Sequence, residues 1–244
     1  SKSFGAIRAV LPSSIELKGP GVFGLVGGNG AGKTTLLRIM ASVLSPDSGN
    51  VSLRVSGLDI PPSEIKKHMG VLPEGTGLYH RLTALENILY HARLQNLPDH
   101  VAVKRAEKLA NRLNITSELH RQTKGFSRGM RQKIALIRSI IHEPPILLLD
   151  EPTGGLDVTA AREVRTVVRE MATIKKRLII YSTHYLDEAV RICDQLIIMH
   201  NGEIVAAGRP NELMTDQDKN DIENTFERLT TSQSRDTFIE KIPG

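Results

Sequence analysis

Gly27-Gly28-Asn29-Gly30-Ala31-Gly32-Lys33-Thr34 follows the apolar run Val22-Phe23-Gly24-Leu25-Val26 and precedes Leu36-Leu37-Arg38-Ile39-Met40. A buried strand, a glycine-rich turn and a helix start, in that order, are the context in which G-x-x-x-x-G-K-[ST] forms a phosphate-binding P-loop. Glycine lets successive backbone N–H groups turn inward around phosphate oxygens, and the helix N-terminus adds partial positive charge. Lys33 is expected to reach the β- and γ-phosphates of a bound nucleotide, and the Thr34 hydroxyl to ligate Mg²⁺. The expected nucleotide-binding residues are therefore Gly27, Asn29, Gly30, Ala31, Gly32, Lys33, Thr34 and the adjoining Thr35.

Three more short apolar runs have the composition of buried parallel strands: Ile146-Leu147-Leu148-Leu149, Leu178-Ile179-Ile180-Tyr181 and Leu196-Ile197-Ile198-Met199. Helical spacing separates them and places Ala160, Ala161, Val164, Val167, Val168 and Met171 on one face. Strands alternating with helices imply an α/β fold, a P-loop core with a parallel sheet covered on both sides. Val51 to Val55 alternate in polarity and are expected in an antiparallel edge sheet near the N-terminus. Thr83-Ala84-Leu85-Glu86 is a capping-box pattern predicting a helix through about Leu94. Pro98 interrupts it, and a second helix is expected from about His100 to Leu113. These helices imply a helical subdomain, residues 74–142, inserted in one domain over 1–230. A polar tail occupies 231–244, and a short helix is expected near Ile222 to Leu229.

Strand Ile146-Leu147-Leu148-Leu149 ends in Asp150-Glu151. Two acids at the end of an apolar strand are costly unless a cation or hydrogen-bond donors compensate. Beside a P-loop the compensating cation is Mg²⁺ on Asp150, which leaves Glu151 to polarise the attacking water as general base. His184, in Ser182-Thr183-His184, follows another buried strand. Parallel strands present their C-terminal ends on the ligand-binding edge, so His184 is expected to donate to the γ-phosphate.

The chain has 244 residues, 40% hydrophobic and 24% charged, which suits one soluble globular domain. No apolar run approaches the roughly 20 residues needed to span a bilayer. A single cysteine, Cys193, excludes an intrachain disulfide and fits a reducing compartment. The net charge of +5 is spread along the chain, and aromatic residues make up only 4%, with no Trp. Few platforms exist for stacking bases, so no direct nucleic-acid partner is expected.

With these pieces in order, the segment Gly125-Phe126-Ser127-Arg128-Gly129-Met130-Arg131-Gln132-Lys133 resembles the Leu-Ser-Gly-Gly-Gln signature of the ATP-binding-cassette (ABC) ATPases. By spacing alone it reads as a helix cap. The resemblance implies that Ser127 and Gly129 face the γ-phosphate bound by a second subunit, so that a homodimer or heterodimer of ATPase subunits completes each site. Gly154-Gly155-Leu156-Asp157 is similar to the family's D-loop, and Phe4 occupies the place of its adenine-stacking aromatic residue. The family also implies an integral membrane permease subunit, with this chain peripheral on the cytoplasmic face of the membrane. The chain begins within what the resemblance makes the first strand, which implies a few residues before Ser1.

Two departures bear on the site. Glu74, in Val71-Leu72-Pro73-Glu74, stands where the family has Gln. It is expected to sense Mg²⁺ or the water while adding negative charge. Arg128 and Met130 replace Gly and Gln of the signature. The stretches 71–83 and 222–230 resemble the sodium-export (Nat-type) and drug-export branch, which implies sodium ions or a drug-like compound as substrate. A soluble ABC ATPase acting on nucleic acid or ribosomes is the rival reading. It would call for a long coiled-coil insertion or tandem cassettes, and the sequence contains neither.

Overall fold

The structure is a computed structural model that describes residues 1–213. In chain order, β1 (Lys2–Phe4) and β2 (Ile7–Val10) make a hairpin, and β3 (Gly21–Val26) leads through the glycine-rich turn into α1 (Lys33–Met40). A second hairpin, β4 (Leu53–Val55) and β5 (Leu58–Ile60), precedes β6 (Met69–Leu72). Three helices follow: α2 (Ala84–Leu94), α3 (Asp99–Arg112) and α4 (Arg128–Ile140). The chain then alternates through β7 (Ile146–Leu149), α5 (Val158–Thr173), β8 (Leu178–Thr183), α6 (Leu186–Ile192) and β9 (Gln195–His200), and ends its described part in β10 (Glu203–Gly208) and α7 (Pro210–Leu213).

Six strands form the central sheet in the order β10-β9-β3-β8-β7-β6. All its pairings are parallel except β9 with β10. Parallel order brings the C-terminal ends of β3, β7 and β8 side by side, with Val26 opposite Thr183 and Leu149 opposite Tyr181. The residues that follow these strands thus meet on one edge of the sheet.

The α/β class and the strands expected from apolar runs agree with this architecture, as do the helices after Thr83 and Pro98. The 51–55 stretch differs in detail. Only Leu53–Val55 is a strand, and it pairs with β5 in a separate two-stranded ribbon. The turn between them, Ser56 and Gly57 with φ of 51° and 82°, has the positive dihedrals of a tight hairpin. β6 and β10 had no expectation behind them. The helix expected at 222–229 lies outside the described residues.

Alternation along the strands divides the interior in two. On β7, Leu147 and Leu149 join the cluster under α2 to α6, while Ile146 and Leu148 join the cluster under α1. Helices this short are marginal alone. What holds them is packing, at about 1.5–3 kcal/mol for each large apolar side chain fully buried. The exception is α3, which buries Ala102, Ala106 and Ala110 at intervals of four, each fully enclosed. A methyl stripe buries little area but lets α3 lie close against its neighbours. Gly70 serves a similar end in β6. A side chain there would strike the Ser139 carbonyl of α4 and come within 2.7 Å of Leu147 and 2.8 Å of Pro144.

Candidate nucleotide site at the C-terminal edge of the sheet

The turn after β3 depends on glycine at two points. Gly32 has φ of 100°, and a side chain on it would strike the Ala9 carbonyl of β2. Gly27 lies so close to the Met199 carbonyl that no methyl fits between them. Gly32 is also the N-cap of α1, which has no side-chain cap bond and no acid in its first turn. The first N–H groups of α1 therefore lack a side-chain acceptor, which suits an anion at the helix start.

Lys33 is buried, at 6% exposure, and its ammonium is turned back into the loop. It donates to the Gly27 carbonyl at 2.7 Å and the Gly28 carbonyl at 3.2 Å, and lies 3.6 Å from Glu151 Oε1. Thr34 and Asp150, 116 positions apart, meet directly: Thr34 Oγ1 donates to Asp150 Oδ2 at 2.8 Å. The other oxygen of Asp150 accepts a 2.5 Å bond from Ser182 Oγ. A buried carboxylate beside a hydroxyl is an oxygen donor set of the hard kind that Mg²⁺ prefers. Glu74 is exposed on the same edge, two residues past β6, and has no hydrogen-bond or ion-pair partner among the described residues.

The two adjacent acids diverge because Glu151 has φ of 47°, left-handed for a non-glycine residue. That twist sends its carboxylate away from Asp150 and toward His184, whose Nδ1 is 3.0 Å from both Glu151 oxygens. The strained backbone is held by Ser182 Oγ, which accepts from Glu151 N at 3.0 Å. Gly154 N donates to the Glu151 carbonyl at 3.0 Å, and Gln132 of α4 reaches the same oxygen at 3.4 Å. His184 also packs on Tyr185, ring centroids 3.9 Å apart.

The remaining expected residues lie elsewhere. Phe4 is half-exposed on the β1–β2 hairpin, with the Lys2 ammonium 5.7 Å from its ring centre. Ser127 caps α4 by accepting from Met130 N at 3.2 Å, and it is exposed. Among the described residues no hydrogen bond joins the first turn of α4 to the P-loop. Gly129 sits near Leu156 and Ala160, and Asp157 caps α5 by accepting from Ala160 N at 2.9 Å. Arg128 lies across Gly155, where any side chain would overlap its guanidinium. Sequence reasoning assigned no part to Ser182, Gln132 or Thr153. Their only signal is proximity to the motifs, since their bonds span 19 to 35 positions.

A strand-turn-helix phosphate cradle, a paired hydroxyl and aspartate, and a glutamate held by histidine and lysine define a P-loop nucleotide hydrolase site. A family model described as ABC transporter matches residues 12–154. The ABC transporter ATP-binding protein NatA of Bacillus subtilis (strain 168) is 39% identical over 223 residues, covering 90% of this chain and 89% of NatA. Among solved structures, the ATP binding subunit of an ABC transporter superposes with a TM-score of 0.80 at 25% identity, covering 93% of this chain and 95% of that one. The dimeric structure of MJ0796, a bacterial ABC transporter cassette, gives 0.75 at 21% identity, over 84% of this chain and 92% of that one, and shares the fold. The chain belongs to the ABC transporter family, as an ATP-binding subunit with ATPase chemistry. No helix among the described residues is long and apolar enough to cross a membrane.

Proposed function

We propose that this subunit hydrolyses Mg-ATP in a sandwich of two ATPase chains and couples closure of that sandwich to export through a separate membrane subunit. The observation that carries the reading is the setting of Glu151. Its carboxylate is 14% exposed, bridged to His184 and near Lys33, on the edge where the P-loop and Asp150 converge. In that setting Glu151 acts as general base on a water, and His184 and Lys33 attend the γ-phosphate. Thr34 and Asp150 would hold Mg²⁺, which supplies charge neutralisation between the phosphates.

Pairing follows from the place of Ser127. It is an exposed cap with no hydrogen bond to its own P-loop, suited to a phosphate presented by another chain. Phe4 would offer its half-exposed ring to adenine, and Asp157 would lie at the seam between the subunits. The partner chain is identical or closely related. For the membrane subunit, the exposed rings of Tyr90 on α2 and Tyr79 in the loop before it, 5.4 Å apart and edge to face, offer an apolar contact. The resemblance of residues 71–83 and 222–230 to the sodium-export and drug-export branch supports an exporter, with sodium ions or a drug-like compound as cargo, working at the cytoplasmic face of the membrane.

Glu151→Gln is the decisive variant. It keeps shape and removes the base, so ATP binding should persist while the hydrolysis rate falls by roughly 10²-fold or more. A variant that hydrolyses at the wild-type rate would overturn the reading.

A further inference from the structure

Behind the Glu151–His184 pair lies a second carboxylate that the reaction scheme leaves unused. Glu188 of α6 is 8% exposed, and burial of an acid is costly unless it is paired and hydrogen-bonded. Its oxygens are well supplied. Thr153 Oγ1 donates at 2.8 Å to Oε1, Thr183 Oγ1 donates at 3.1 Å to Oε2, and Arg165 of α5 approaches Oε1 at 3.1 Å. Tyr181 Oη lies 3.0 Å from Thr153 Oγ1. With the Thr153 proton given to Glu188, Tyr181 supplies its own to Thr153. Burial first, and the Glu188 charge second, push the Tyr181 phenol well above its ordinary range, which keeps it a neutral donor.

The partners of Glu188 explain why the arrangement matters. Thr153 is two residues after Glu151, and Thr183 is the residue before His184. Thr183 Oγ1 also accepts from Tyr185 N at 3.1 Å, so it pins the chain on both sides of His184. One carboxylate therefore ties together the two loops that bring Glu151 and His184 to 3.0 Å, and Arg165 anchors it to α5 from the other side.

We infer that Glu188 is a positioning residue for hydrolysis, holding the Glu151 and His184 loops in register through Thr153 and Thr183. This rests on the reading of Glu151 as general base. Glu188 bonds to Thr153, Thr183 and Arg165 and to none of the P-loop residues, so its loss should slow the chemical step without weakening binding. Small misplacements of a reacting pair are enough for that: about 1 Å can cost 10²-fold in rate.

The test is a set of full-length variants assayed for kcat and KM with Mg-ATP, for ATP affinity and for unfolding midpoint. Glu188→Gln keeps the shape and removes the charge that gathers the donors. A fall in kcat of about ten-fold, with KM and ATP affinity within about two-fold of wild type, is expected. Thr153→Val should reproduce that split, and the double variant should be no slower than Glu188→Gln alone, because both break one network. Wild-type kcat in Glu188→Gln would overturn the inference, as would fully multiplicative losses in the double variant. Should Glu188→Gln fail to fold, Thr153→Val decides: an unchanged kcat overturns the inference. Glu151→Gln is run alongside. If it is inactive while Glu188→Gln is fully active, only this inference falls; if it is fully active, the general-base reading falls and takes the inference with it.

Discussion

Asn87 is fully buried one turn into α2, at 1% exposure, and its side chain makes four hydrogen bonds to the loop that carries Tyr79. Replacing it with Ala removes all four, but most of the groups left behind keep another partner. The Tyr79 carbonyl still accepts from Thr123 Oγ1 at 3.0 Å and from Leu82 N at 3.0 Å. Leu82 O keeps Thr123 N, and Thr83 O keeps the backbone N–H of residue 87. Only the Tyr79 N–H, which donates to Asn87 Oδ1 at 2.8 Å, loses its sole acceptor. One orphaned, partly buried donor costs about 2 kcal/mol. Lost packing costs about 0.5 kcal/mol more, and the better helix propensity of Ala returns a similar amount. The expected destabilisation for Asn87→Ala is thus about 2 kcal/mol, or a fall in Tm of roughly 4–8 °C at this chain length. Urea unfolding gives the free energy, and hydrogen exchange at the Tyr79 amide gives the location. A loss below about 0.5 kcal/mol, or an unchanged Tyr79 exchange rate, would refute the accounting.

Two further outcomes concern titratable groups. Burial, helped by the charges of Arg138 and His142, lowers the His91 imidazole to about 4 from its ordinary 6.5. The unfolded chain then binds the extra proton first, so this contribution to stability is fully present above pH 6.5 and is lost as pH falls through 4. His91→Gln should lose less stability than wild type between those limits in urea titrations, and equal losses would refute the assignment. Burial likewise pushes the Cys193 thiol far up, with Asp194 adding to the effect. The folded protein should resist a thiol reagent at mildly alkaline pH and react once unfolded; rapid labelling of the native state would contradict this.

The parts of the fold legible in sequence were those written in consecutive residues. Strands β3, β7, β8 and β9 are enclosed on both faces, so their apolar runs are nearly unbroken. β6 escaped because its short run is broken by Gly70 and follows the charged turn Lys66-Lys67-His68. β10 escaped because it sits at the sheet edge with small residues and only two buried positions. The site divides in the same way. Its P-loop and acidic pair are local patterns with a chemistry attached. Ser182 reaches groups 31 and 32 positions away, the Thr153–Glu188 bond spans 35, and only the strand order β3-β8-β7 brings them together. A buried Glu on a helix face has no sequence signature until its donors are known.

The apolar cluster on one face of the sheet runs without a break from Ile88 in α2 and Ala106 in α3, through Ile137 in α4, to Val167 in α5 and Ile192 in α6. This continuity limits how the chain can be recombined. A chimera that borrowed α2 to α4 from a relative, to redirect the subunit to another partner, would carry only one side of a close-packed seam. The transplant would succeed only where the donor's side chains mesh with the recipient's α5 and sheet, so the exchangeable unit is the seam itself.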